Sequence, residues 1–196
     1  MTPTPSARGT EQIAAARQGL ARWLAEHRPA TPQTSTNIPG CPAIELKSVQ
    51  AALATIGSTK TLEDWGTEIE WGEYSEIDPD LMGLTCGGDS DGNAHDSRYG
   101  VAIDVAAVDL TGKGTFTEFE KSVKIADGST FPVPSLPGGR TAATCIGAQC
   151  LAVMHDGDGL VLAVSVIGVG APDEQTAVTY LDMLGPQVLR TLAALS

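Results

Sequence analysis

Basic residues are scarce in this chain, and long apolar runs are absent from it. The 196 residues include 12 lysines and arginines against 24 aspartates and glutamates, which gives a formal net charge of −12. An acidic surface of this kind repels phosphate backbones and anionic lipid headgroups, so the composition argues against nucleic acid and membrane surfaces as partners. No segment reaches the roughly 18 apolar residues of a membrane-spanning helix, and we expect no transmembrane span in this chain.

The features of an export signal are also missing. The first residues, MTPTPSARGTEQ, have neither the basic start nor the apolar stretch of a secretory signal peptide. We therefore expect no export signal or anchor within this chain. Residues 1–9 are rich in Thr, Pro, Ser and Gly and are predicted to form a loose tail.

No motif for catalysis is found. The chain has no GxSxG elbow, no glycine-rich phosphate loop, and only three histidines, His27, His95 and His155, none spaced to serve a nucleophile. We therefore predict a non-enzymatic protein with no catalytic residues and no cofactor. The alternative is a hydrolase or other enzyme that uses acidic residues, because 24 carboxylates always offer pairs and a sequence gives no distances.

Four cysteines are present: Cys41, Cys86, Cys145 and Cys150. An even number without a CxxC motif favours disulfides over a zinc knuckle or a thioredoxin-type redox pair. Three pairings are possible, and the short separation of Cys145 and Cys150 favours a bridge between them, which leaves Cys41 with Cys86. Disulfides predict an extracellular or cell-envelope location. The alternatives are an intracellular interaction protein with reduced cysteines, or zinc bound by Cys145, Cys150 and His155.

Hydrophobic periodicity predicts an N-terminal appendage and one domain. Residues 1–40 should hold the tail, a helix over 10–26 and a Pro-rich linker over 29–40, and residues 41–196 a single α+β domain. A helix after Cys41, several strands and a helix opening at Thr115 come next in the predicted order. Because strands follow one another without helices between them, we expect a mostly antiparallel sheet with helices packed on one face.

The segment from Cys145 onward is predicted to contain the core. Two apolar strands, 151–155 and 160–168, flank an Asp-Gly turn and should form a hairpin. The second of these is rich in Val and Ile on both faces, as in a central strand. A long C-terminal helix beginning at Pro172 carries an apolar stripe. Gly185-Pro186 should kink or split this helix, because proline removes a backbone donor.

One polar loop, Gly87–Asp96, is the most site-like stretch. Its alternating oxygen side chains suit a hard cation, but the EF-hand pattern fails at Ala94 and Gly100, so we predict no metal. This loop and the proline-rich stretch Phe131–Gly139 are the expected contact surfaces, since loops on a rigid scaffold usually carry recognition. The candidate binding residues are Asp89, Asp91, Asn93, His95, Asp96 and Arg140.

Several stretches together resemble a known group of proteins. These are CPAIELKSVQAALATIG, the second cysteine after a strand in LMGLTC, the strand end VSVIG and the helix APDEQTAVTYLDMLGPQVLRTL. They resemble small actinobacterial cell-envelope lipoproteins of unknown function and, more distantly, the extracellular sensor domains of actinobacterial receptor Ser/Thr kinases. The resemblance, over residues 38–196, implies an exported α+β domain with two disulfides that binds a small-molecule ligand or a protein partner at the cell envelope. The chain departs from the pattern in having no lipobox cysteine and no kinase domain.

Overall fold

An antiparallel sheet and three helices make up the described structure. The computed structural model describes residues 7–27, 35–55, 61–71, 82–89, 100–107, 129–130, 136, 140–156, 159–167 and 173–195. Within these residues the helices are α1 (Ala7–His27), α2 (Leu46–Thr55) and α3 (Glu174–Ala193). The strands are β1 (Ser35–Pro39), β2 (Glu63–Trp71), β3 (Met82–Asp89), β4 (Gly100–Ala107), β5 (Ser129–Thr130), β6 (Arg140–Ile146), β7 (Gln149–His155) and β8 (Leu160–Ile167).

These strands form one sheet in the order β1-β2-β3-β4-β8-β7-β6-β5. Each neighbouring pair in the sheet is antiparallel. Strands β1 to β4 form one meander and β5 to β8 a second, and the two meet where β4 pairs with β8 along its whole length. The predicted α+β class with a mostly antiparallel sheet is confirmed.

The helices pack on one face of this sheet. Helix α3 lies on β6, β7 and β8, while α1 and α2 pack against α3. The apolar stripe of α3 is buried. Full burial of one leucine side chain contributes about 1.5–3 kcal/mol to stability. The buried residues of α3 are Ala177, Val178, Tyr180, Leu181, Leu184, Gly185, Val188, Leu189 and Leu192.

Strand β8 is buried on both faces, as its Val-Ile content predicts. Leu162 and Val164 point to the helical face and belong to the hydrophobic core. The alternate residues Val161, Ala163 and Ser165 are buried as well. With β4 on one side and β7 on the other, this strand lies at the centre of the sheet.

Helix α1 packs tightly against the C-terminal end of α3. Ile13, Ala16, Leu20 and Leu24 are buried at this contact. Gly19 allows the close approach, because a Cβ at this position would lie 1.9 Å from the carbonyl oxygen of Leu192. The sequence left open whether this helix docks; the structure shows that it does. The predicted domain boundary at residue 41 stays a prediction.

Polar contacts also hold α1 in place. Arg17 Nη1 lies 3.1 Å from Asp156 Oδ2, and the Asp156 side chain is only 7% exposed. The other carboxylate oxygen, Oδ1, accepts the backbone N–H of Leu160 at 2.9 Å, so Asp156 joins the β7–β8 turn to α1. Arg22 donates to the carbonyl oxygen of Leu195, beyond the end of α3, at 3.0 Å.

Part of the predicted linker is instead a strand. Residues Ser35–Pro39 form β1, which pairs with β2 at the edge of the sheet. The linker prediction for 29–40 is therefore wrong over this range. An edge strand needs ladder hydrogen bonds on one side only, so it tolerates a proline such as Pro39 at its end.

The stretch Phe131–Gly139, which was predicted as a contact surface, contributes a residue to the core. It follows β5, and its Leu136 is buried against α3. A Cβ on Gly185 would lie 2.8 Å from Leu136 Cδ1, so this glycine makes room for the leucine. The stretch Phe131–Gly139 is therefore not wholly a contact surface, since Leu136 is a core residue.

Helix α3 continues through Pro186, so Gly185-Pro186 does not split it, and the predicted kink stays a prediction. Gln187 Nε2 donates to the carbonyl oxygen of Met183 at 3.3 Å and adds a local hydrogen bond beside the proline. Packing of the apolar stripe on the sheet outweighs the local preference of proline, since tertiary packing supplies most helix stability in proteins. The helix predicted to open at Thr115 lies outside the described residues.

Both disulfides join the predicted partners. Cys41 bonds Cys86, with Cα atoms 5.6 Å apart, and Cys145 bonds Cys150, with Cα atoms 4.1 Å apart. Cys145 and Cys150 are direct register partners across the β6–β7 hairpin. The zinc hypothesis for Cys145 and Cys150 loses its ligands, because both sulfurs are used in a disulfide.

Candidate functional site

The predicted polar loop begins later than the sequence suggests. Strand β3 continues through Gly87 and Gly88 to Asp89, whose backbone pairs with Gly100. Asp89 is thus a strand residue, which corrects its assignment to the loop. The remaining loop candidates lie outside the described residues, and their binding role stays a prediction: Asp91, Asn93, His95 and Asp96.

A close approach of β2 explains why the strand extends over two glycines. A Cβ on Gly88 would lie 2.7 Å from the carbonyl oxygen of Glu63 and 3.0 Å from Trp65 Cε3. Glycine inside a strand marks such close approaches. Gly88, one of two adjacent glycines that predict a loop by composition, here admits the backbone and indole of the neighbouring strand.

Arg140 lies far from Asp89, the other candidate binding residue within the described part of the chain. It is the first residue of β6. Through successive paired residues on β7 and β8, it lies in the same row across the sheet as Ala106 of β4. Asp89 pairs with Gly100, at the opposite end of β4. At roughly 3.4 Å per residue, these two rows are about 20 Å apart along the strands. The structure therefore does not bring Asp89 and Arg140 into one site.

A groove lies between α2 and the middle of α3 and was not predicted. Its volume is about 400 Å³, and it is open to solvent. The sequence predicts both helices but gives no signal that they lie side by side. The residues lining the groove are Lys47, Ser48, Ala51, Ala52, Thr55, Met183 and Gln187.

The groove lining combines alanine and methionine side chains with polar groups, two of which bond within their own helices. Thr55 Oγ1 donates to the carbonyl oxygen of Ala51 at 2.9 Å, and Gln187 donates to that of Met183. Lys47 forms an exposed ion pair with a neighbouring glutamate, Glu45. No carboxylate is among the lining residues, so the groove suits binding through shape and apolar contact and has no acid–base pair.

The position of α2, and hence the groove, depends on three kinds of contact. Val49 and Leu53 are buried in the core. Gln50 Oε1 accepts the backbone N–H of Leu62, just before β2, at 2.9 Å. The Cys41–Cys86 disulfide joins the segment before α2 to β3. The segment that leads into α2 is thus held by a covalent bond, and α2 itself by packing and a hydrogen bond.

The start of α3 is fixed by a capping box. Thr176 donates from both its backbone N–H and its hydroxyl to Asp173 Oδ1, each at 2.7 Å, and the Asp173 backbone N–H donates to the Thr176 hydroxyl. These hydrogen bonds lower the pKa of Asp173 below its usual value of 3.8. The bond from the Thr176 hydroxyl has the largest effect, and the bond from the Thr176 backbone N–H has the next largest. The sequence places Asp173 in the first turn, and the structure makes it the N-cap.

A stacked aromatic pair, the partly buried Trp23 and the exposed His27, lies at the end of α1. The rings of Trp23 and His27 stack with centroids 4.2 Å apart. His27 Nδ1 lies 2.8 Å from the carbonyl oxygen of Trp23, so one ring nitrogen is engaged by its own helix. This histidine caps the end of its own helix.

Comparison with known proteins supplies no relative. No protein-family model, curated protein or solved structure matches this chain. Among the described helices, none is long and apolar enough to cross a membrane. Within the same described ranges, no three His, Cys, Asp or Glu residues are grouped so as to hold a metal ion.

Proposed function

We propose that this chain is a non-enzymatic domain, exported to the cell envelope or beyond, that binds a small-molecule ligand or a protein partner. The observation that carries the proposal is the pair of disulfides, which persist in oxidising compartments and are rare in the cytosol. The proposal includes kinship with the small actinobacterial envelope lipoproteins that the sequence resembles. An intracellular protein with reduced cysteines would lack the bond that fixes the segment before α2.

The groove between α2 and α3 is the binding surface in this proposal. It is concave, its alanine and methionine side chains offer apolar contact, and the Cys41–Cys86 disulfide anchors the segment that leads into α2, one of its walls. A rigid wall lowers the ordering cost of binding, because less conformational freedom is lost when the partner docks. Such a groove accepts an apolar side chain or a small ligand without any change in the sheet.

A matched pair of arginine substitutions tests this surface. Ala51 lines the groove, whereas Ala54 is an exposed alanine on the same helix outside it. In cross-linking of the epitope-tagged protein in its native cells, Ala51→Arg should abolish the adducts that wild type and Ala54→Arg both give. Equal adduct yields from all three proteins would contradict the groove as binding surface.

The enzyme alternative makes a different prediction. Hydrolysis by acidic residues needs a pocket with two carboxylates whose pKa values are pushed apart. The groove lining contains none. Turnover of a glycoside or ester by the purified protein, lost on substitution of one carboxylate with the fold unchanged, would replace the binding proposal.

A further inference from the structure

The two disulfides differ sharply in their access to solvent. Cys41 is partly buried, and its sulfur accepts the backbone N–H of Ile44 at 3.3 Å. Cys86 is fully buried, with its sulfur 3.4 Å from the hydroxyl of Thr67. Cys145, by contrast, is an exposed residue next to the two-residue turn of the β6–β7 hairpin. Of the four cysteines, Cys145 alone is an exposed residue.

The second sulfur of the hairpin bond has the opposite environment. Cys150 has no exposed surface and belongs to the hydrophobic core on the helical face of the sheet. An attacking thiolate must reach a sulfur on the side away from its bonded partner. Of the two residues, only Cys145 has surface exposed to solvent. The hairpin disulfide thus joins an exposed cysteine to a fully buried one.

The hairpin does not depend on this bond for its geometry. Strands β6 and β7 are paired from Arg140↔His155 to Ile146↔Gln149, and β7 is also paired with β8. Gly147, with φ +61°, supplies the left-handed residue of the turn. Helix α3 packs on both β6 and β7. Breaking the disulfide therefore leaves the strands held by their ladder and by the helix.

We propose that Cys145–Cys150 is a thiol–disulfide exchange site that reacts with small thiols of the glutathione class, whereas Cys41–Cys86 is a permanent structural bond. The exchange begins when an external thiolate attacks Cys145 Sγ. A mixed disulfide forms at Cys145, the Cys145–Cys150 bond breaks, and its electron pair stays on Cys150 Sγ, which takes a proton from water in its apolar surroundings.

Two outcomes follow from the mixed disulfide. Cys150 can attack Cys145 Sγ, which re-forms the hairpin bond and releases the external thiolate. Alternatively, a second external thiolate attacks the outer sulfur, which releases reduced Cys145 and one molecule of the external disulfide. The two electrons that reduce the protein bond come from the two external thiols. The fraction of the Cys145–Cys150 bond that is reduced therefore follows the ratio of external thiol to external disulfide.

Site-resolved reduction of the folded protein tests this assignment. The protein is incubated with excess reduced glutathione, quenched with acid, alkylated with N-ethylmaleimide and analysed as unreduced peptides by mass spectrometry. We expect the glutathione adduct on Cys145, and reduction of Cys145–Cys150 at least about tenfold faster than that of Cys41–Cys86, because access governs exchange. Equal rates, or an adduct first on Cys150, would overturn the proposal.

Two reciprocal variants provide the control. Cys150→Ser leaves Cys145 as the lone thiol of the hairpin, and Cys145→Ser leaves Cys150. With oxidised glutathione, the first should form its adduct at least about tenfold faster than the second, since only Cys145 is accessible. Comparable rates in two folded variants would contradict the proposal. Circular dichroism during reduction of the wild-type protein shows whether the fold is kept. Loss of the strand signal at the same rate as reduction would contradict the proposal, because unfolding would then expose the bond.

Discussion

Two glycines show how a missing side chain sets the spacing of elements. At Gly19 the obstacle to a Cβ is a backbone carbonyl, and at Gly185 it is the end of the Leu136 side chain. A leucine side chain can rotate away, whereas a carbonyl in a packed helix end cannot move without shifting the helix. The two glycines should therefore differ in their tolerance of alanine.

Gly19→Ala should destabilise the protein by about 2 kcal/mol or more. Alanine gains about 1 kcal/mol of helix propensity, but overpacking against the Leu192 carbonyl costs more because neither backbone can yield. Urea unfolding measures the difference. Gln18→Ala, at an exposed neighbouring position, is the control and should change stability by less than about 0.5 kcal/mol. A Gly19→Ala protein as stable as wild type would mean that α1 does not pack on α3 as described.

Asp173 should give α3 a pH-dependent cap. Its folded-state pKa is lowered by its hydrogen bonds to Thr176, so its contribution is complete above the usual value of 3.8 and is lost as pH falls through the folded-state pKa. Asp173→Asn keeps a capping oxygen but removes the titration. The difference in Tm between wild type and this variant should shrink on acidification below about pH 4. A difference that is constant across this range would contradict the capping box.

Among the elements, strongly periodic segments could be predicted from sequence and irregular ones could not. The stripe of α3 and the continuous apolar run of β8 are properties of the residues themselves. Strand β1 and the buried Leu136 have no such pattern, because their positions depend on partners distant in the sequence. The groove was missed for the same reason, since it depends on how α2 and α3 lie against each other.

Pro186→Ala should stabilise α3. Proline in a helix interior is about 3 kcal/mol less favourable than alanine, and the greater entropy of the unfolded alanine chain offsets up to about 1 kcal/mol, so we expect a gain of about 2 kcal/mol. Thermal and urea unfolding measure it, with Gln175→Ala at an exposed position of the same helix as control. Unchanged or lower stability would show that the proline fits a bend that the contact with β7 requires.

At the scale of the whole molecule, the cysteines were the most informative residues of the sequence. Their number and spacing predicted both bonds, while the polar loop predicted a site that the described residues do not assemble. Composition can indicate a polar loop. Only the register of the sheet shows that Asp89 and Arg140 lie in rows at opposite ends of β4, and therefore far apart.

Removing each disulfide should have unequal effects on stability. The Cys41–Cys86 bond spans 45 residues and the Cys145–Cys150 bond only 5. In the chain-entropy model, replacing the first pair by alanine should cost about 4 kcal/mol and the second about 2 kcal/mol. Urea unfolding of the two double variants measures both costs. A larger loss from the short bridge would contradict the assignment of Cys41–Cys86 as the principal structural bond.

The central claim is that this domain functions outside the reducing cytosol with its structural disulfide formed. The most direct test is to quench native cells with acid, alkylate the denatured, unreduced protein, and locate the labelled cysteines by mass spectrometry. We expect no label on Cys41 or Cys86. Label on all four cysteines would contradict it, and would place the protein in a reducing compartment.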